Sequence, residues 1–100
     1  MKPRSFIPPP AVARAARKGL EMRRAAPPSR RCCTPVGIAR ARQLSNRQPV
    51  SLETVKRMVS WFARHSKDKR ASGSKSLQAF YMWGGPPGEM WARMILKGQK

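Results

Sequence analysis

Ser51 to His65, SLETVKRMVSWFARH, carries the clearest hydrophobic pattern in the chain: Leu52, Val55, Met58, Val59 and Phe62 recur at helical spacing on one stripe. Pro49 lies just upstream, Ser51 is suited to cap the first turn, and Glu53 places an acid where the helix dipole favours one. At about 100° per residue the opposite side collects Arg57, Ser60 and Arg64, with Lys56 and Trp61 at its edges. The pattern predicts a helix with one packing face and one cationic face.

Thr34-Pro35 opens a second helical stretch, VGIARARQLSN, with a hydroxyl cap followed by proline at the first helical position. Gly37, Ala41 and Leu44 share one side with Ile38 beside them, small residues suited to packing against the 51–65 helix, while Arg40 and Arg42 point elsewhere. The short connection from Asn46 to Val50 predicts an αα-hairpin or helix-turn-helix. Before these elements, Met1 to Pro10 holds four prolines around Phe6-Ile7 and should be an extended arm. Ala11 to Ala26 is rich in helix formers, with a weak apolar side of Val12, Ala15, Ala16, Gly19, Leu20 and Met22 ringed by Arg14, Arg17, Lys18, Arg23 and Arg24. That segment fits a basic helix ordering on a nucleic-acid backbone and equally a solvated, partly frayed one. Pro27 to Cys33, with Arg30 and Arg31, has the composition of a linker and sets a boundary near residue 33.

Downstream, Ser66 to Ser74 is a polar loop carrying Lys69 and Arg70. Lys75 to Trp83 follows as a short helix through Leu77, Phe80 and Tyr81, halted by Gly84-Gly85 and Pro86-Pro87, with Gly84 just past the cap. Gly88 to Lys97 is the last helix, with Met90, Trp91, Met94 and Ile95 on one side. Together these patterns predict an all-α domain of three to four short helices over residues 34–97, its core built from Leu52, Val55, Val59, Phe62, Trp83 and Trp91. A basic, Pro/Arg-rich arm over residues 1–33, helical in part and disordered on its own, precedes it.

Charge narrows the choice of partner. Against 22 Lys and Arg the chain has only 4 acids, a net charge of +18 in 100 residues, so self-repulsion is either offset by a polyanion or accepted as disorder. Residues 1–50 hold 12 basic and 1 acidic side chain (+11) and residues 51–100 hold 10 and 3 (+7), so both halves can touch phosphate. No apolar run approaches the ~20 residues of a membrane span, and the first residues lack the apolar core of a signal peptide. The Arg-rich opening, with Glu21 its one acid, also suits an organellar transit peptide.

Candidate chemistry is sparse. Cys32 and Cys33 are adjacent, a placement that rarely permits a disulfide, so the expectation is two reduced thiols in an intracellular protein. A zinc site needs four donors, more than two Cys and the lone His65 supply, and His65 at a helix end is accounted for by the dipole. No catalytic residue, metal or cofactor is expected, since Glu53, Asp68 and Glu89 with one His make no acid–base constellation and no Gly-rich phosphate loop is present. Phe62, Phe80, Tyr81, Trp83 and Trp91 fit a core better than base-stacking platforms; Trp61, between stripe and cationic face, fits a stacked base and a packing contact equally well.

The run GIARARQLSNRQPVSLETVKRM, then WFARH, then Trp83, Gly84, Gly85, Gly88, Trp91 and Ala92 in a W-G-G-x-x-G-x-x-W-A spacing, resembles a small helical module encoded in tailed-phage and prophage genomes, often beside or within head proteins. The resemblance covers about residues 34–93 and implies a virion or an infected bacterial cytoplasm as the setting. The loop after His65 departs from it, being short and basic where the module has an acid and a longer Gly-containing insert.

Two function classes follow. One is a non-catalytic protein that neutralises nucleic-acid phosphate, DNA ahead of RNA, through Arg14, Arg17, Lys18, Arg23, Arg24, Arg30, Arg31, Arg40, Arg42, Lys56, Arg57, Arg64, Lys69 and Arg70, with Trp61 beside them. The other is a structural or accessory protein of a virion or another large nucleoprotein assembly, whose partners are capsid or other virion proteins, with no membrane involved.

Overall fold

A computed structural model describes residues 5–68 and 74–98. Within them the chain is all-α apart from one two-stranded ribbon: β1 (Ser5–Phe6), α1 (Pro10–Ala25), α2 (Pro35–Ser45), β2 (Val50–Ser51), α3 (Leu52–Arg64), α4 (Lys75–Met82) and α5 (Gly85–Gly98). β1 and β2 pair antiparallel, with Ser5 opposite Ser51 and Phe6 opposite Val50, so the arm is extended as expected but docked as a strand.

Three helices begin on hydroxyl caps. Thr34 accepts from the Gly37 amide, Ser51 from the Thr54 amide and Ser74 from the Leu77 amide, each satisfying a donor the first turn leaves open. At the end of α4, Gly84 (φ +113°) follows the Trp83 cap and donates to the Tyr81 carbonyl at 2.9 Å. The Pro86-Pro87 pair does not halt the chain. It lies in the first turn of α5, where missing amide hydrogens cost nothing, and the Gly88 amide makes the bond back to Gly84 at 2.9 Å.

The core runs through the whole chain. Val12 and Ala16 of α1 lie in the same buried cluster as Leu44, Val50, Val55, Met58, Trp61, Phe62 and Ala92, with Phe6, Val59, Trp83, Trp91 and Ile95 packed on it. The boundary expected near residue 33 therefore does not divide the packing: α1 lies against α2, α4 and α5, and its side Val12, Ala13, Ala15, Ala16 and Gly19 is buried. Alanines and a glycine make a weak apolar stripe by composition, yet they let helix backbones approach closely. The expected αα-hairpin is likewise replaced. The main helix neighbours of α2 are α1 and α4, while α3 packs on α5.

Two stripes are rotated from their expected positions. On α3 the buried set is Thr54, Val55, Met58, Trp61 and Phe62, with Leu52 and Val59 only half-buried, because α5 and Trp83 draw the packing face toward Trp61. On α5, Gly85, Gly88 and Ala92 are buried, and Met90 and Met94 stand 65% and 67% exposed. The small residues set the contact face of α5, so the methionines about half a turn away look out to solvent.

Candidate nucleic-acid interface

The basic side chains divide into those that fasten the fold and those left to a partner. Arg17 donates through Nη2 to the Ser45 carbonyl at 3.2 Å, which satisfies the end of α2. Arg31 reaches the Ala26 and Arg24 carbonyls at 3.0 and 3.2 Å beyond the end of α1, and Arg47 holds the arm through the Pro8 carbonyl at 2.8 Å. Lys18 stands over the Tyr81 ring with Nζ 4.6 Å from its centroid. Arg14, Arg24 and Arg30 are exposed. Lys69 and Arg70 lie outside the described residues.

Basic side chains gather in two places, the second of which includes Arg31 and Arg23, both also bonded to backbone carbonyls. Lys56, Arg57, Ser60 and Arg64 line one depression on α3 with Glu53 and Trp83 at its rim, and Arg40 of α2 joins this group through its charge on Arg57. Arg23, Arg24, Arg31 and Arg42 surround a second depression with Leu20 and Ile38, where the end of α1 meets α2. Arg40 and Arg42 therefore face different patches. Two positions along a helix means about 200° of rotation, and α2 sits between the two groups.

Arg40 is the most constrained of these groups. Burial first, and the neighbouring Arg57 guanidinium second, push it below the ordinary arginine value. Its Nε is buried with no hydrogen-bond partner, and its Nη1 donates to Gln43 Oε1. Among the described residues, Glu53 pairs with Lys56 at 4.0 Å, Asp68 with His65 at 2.7 Å and Glu89 with Arg93 at 2.9 Å. No carboxylate is set against Arg40, Arg57 or Arg64 by these pairs.

Trp61 belongs to the interior. It is 9% exposed and stacks on His65 at 4.4 Å and on Trp83 at 5.4 Å, so its rings are already occupied and the expectation of a base-stacking Trp61 gives way to packing. The His65 ring is fixed by Asp68, whose carboxylate lies 2.7 Å from Nδ1.

Beside Trp61 a cleft of about 370 Å³ opens, lined by Cys32, Cys33, Thr34, Arg64, His65 and Trp83 among others. Cys32 and Cys33 are joined in a disulfide, contrary to the expected pair of reduced thiols. Cys33 sits at φ +86°, a left-handed conformation that turns both side chains of the adjacent pair to one side. Gln78 fixes this segment: fully buried, it accepts from the Cys32 amide at 3.1 Å and donates to the Arg30 carbonyl at 2.9 Å, while Arg23 Nε reaches the Cys32 carbonyl at 2.8 Å. A glutamine between Leu77 and Ala79 gives no sign in sequence that it is a core residue. Its buried position on a short helix is set by neighbours from another part of the chain.

No described helix is long and apolar enough to cross a membrane. Compared with known proteins, the chain matches no family model, no curated protein and no solved structure.

Proposed function

We propose that the protein binds nucleic acid through the phosphate backbone, without catalysis, with duplex DNA as the preferred form. The observation that carries this reading is the cluster of Arg40, Arg57, Arg64 and Lys56 across α2 and α3: four cations, of which Lys56 pairs with Glu53, including a guanidinium disfavoured by burial and by its neighbour. Such an arrangement is relieved by an anion bridging the guanidiniums, and a phosphodiester fits their forked donors. The second group, Arg23, Arg24, Arg31 and Arg42, extends the footprint to a separate stretch of backbone. Contacts of this kind position the protein on the duplex rather than specify a sequence.

A role in a phage virion is a compatible second reading, as the resemblance over residues 34–93 implies. Met90 and Met94, one turn apart and exposed on α5, support it, since adjacent exposed methionines suit contact with a protein surface such as a capsid wall.

Salt dependence tests the first reading. Each neutralised duplex phosphate contributes a slope of about −0.9 to log K against log salt, so six contacts give roughly −5. Changing Arg57 and Arg64 together to Gln is expected to reduce the slope by up to ~2 and to weaken all sequences alike. Tight binding indifferent to salt, or binding to an assembled protein shell with none to nucleic acid, refutes it.

A further inference from the structure

Three sulfur atoms converge where the segment after α1 meets the end of α4. Met82 Sδ lies 3.5 Å from Cys32 Sγ and 3.7 Å from Cys33 Sγ. Met82 is wholly buried and Cys32 nearly so, whereas Cys33 is half-buried and opens, with Cys32, on the cleft beside Trp61 and His65. The arrangement is held from three sides, by the left-handed turn at Cys33, by Gln78 on the Cys32 amide and by Arg23 on the Cys32 carbonyl.

We propose that Cys32, Cys33 and Met82, once the disulfide is reduced, form a three-sulfur binding site for Cu(I). A dithiol reductant supplies the two electrons: its thiolate attacks one Sγ, its second thiol closes the reductant's own disulfide, and the protein is left with two thiols carrying the two protons. Cu(I) then binds with loss of both thiol protons, and the Met82 thioether donates a lone pair with no proton to lose.

Ligand type selects the ion. Thiolate and thioether sulfur favour Cu(I), whereas zinc prefers four donors from thiolate, imidazole and carboxylate. Metal–sulfur bonds of ~2.3 Å, the zinc-thiolate length taken as a scale, put the corners of a trigonal site about 4 Å apart. The two Met82 edges therefore need to open by only a few tenths of an ångström, and cutting the disulfide frees the third. Charge agrees as well: two thiolates and one Cu(I) make a −1 unit inside a +18 chain, with Arg64 lining the same cleft. The sequence spacing concealed this site, because Met82 stands 49 positions after Cys33 and a search for Cys and His donors passes over a methionine.

The test uses the full chain, reduced with dithiothreitol, desalted without oxygen and titrated with Cu(I) held by bicinchoninate. One equivalent is expected to transfer to the reduced protein and none to the oxidised one. X-ray absorption at the copper edge should find three sulfur neighbours in the native chain and two in Met82→Leu, a volume-conserving change. Affinity should fall in Met82→Leu by at least the ~10–100-fold that losing a hydrogen-bond partner of a metal ligand costs, and further in Cys33→Ser. Circular dichroism verifies that each variant is folded, and Cys33, half-buried, keeps the test decisive if Met82→Leu is not. The proposal is overturned if bicinchoninate keeps the copper, if folded Cys33→Ser binds as tightly as the native chain, or if zinc at equal concentration displaces it.

Discussion

Gly19 and Met82 bring α1 and α4 together with no room for a methyl group between them. A Cβ on Gly19 would lie 2.7 Å from Met82 Cγ and 2.8 Å from the Tyr81 carbonyl carbon, and closer still to the Met82 amide nitrogen. In an open helix Gly→Ala stabilises by roughly 0.5–1 kcal/mol. Here the sign reverses: Gly19→Ala should cost ~1–3 kcal/mol by overpacking. A thermal melt checks it, with a drop of ~4–8 °C per kcal/mol expected for a domain of this size.

Gln78 gives a second test. Replacing it with Leu keeps the volume but leaves the buried Cys32 amide and the Arg30 carbonyl without their partner. The expected loss is ~1–3 kcal/mol in denaturant unfolding, the range for an orphaned buried polar group. Amide exchange at Cys32 should quicken more than at residues of α3, which distinguishes a local loss from general destabilisation.

Arg40→Met is expected to stabilise. A base held below its ordinary value opposes folding wherever it is protonated, which includes neutral pH, so removing it lifts that cost. Solvent screening limits the gain to at most ~1 kcal/mol. Met matches Arg in helix propensity, so the change reports on charge. The same variant should bind duplex DNA more weakly, and a paired rise in melting temperature and fall in affinity would mark Arg40 as a residue kept for binding.

Deleting residues 1–26 removes Val12, Ala13, Ala15 and Ala16 from the packing and uncovers Met82. The remaining chain is expected to lose its cooperative melt and to bind a hydrophobic dye such as ANS. A fragment that melted as sharply as the full chain would restore the independent 34–97 domain.

Local signals were legible in sequence wherever one residue type settles one bond. Thr34, Ser51 and Gly84 are such cases, since a hydroxyl cap or a left-handed cap glycine acts within a turn of its own position. Long-range choices were not. Helical periodicity marks a face but not its partner, so α2 was matched with its sequence neighbour α3 although α1 offers the smaller surface and lies closer. Periodicity puts Trp61 at the edge of a stripe whose centre moves once Trp83 stacks on it. The basic surface was evident as a total, yet nothing in the spacing shows that Arg17, Arg31 and Arg47 hold backbone carbonyls while Arg57 and Arg64 stay free of such bonds to the backbone.

The packing of α1 on α4 sets an order in time. Ala25 ends α1 and Lys75 begins α4, so the 49 positions between them must be synthesised before α4 begins. At ~5–20 residues per second this is a wait of roughly 2.5–10 s. The nascent arginine-rich helix spends it with Gly19 uncovered, since Tyr81 and Met82 that lie against it are made later, and the last-made helices close the fold. Each copy thus carries its first helix for seconds, far longer than a helix needs to form, before α4 is there to pack on it.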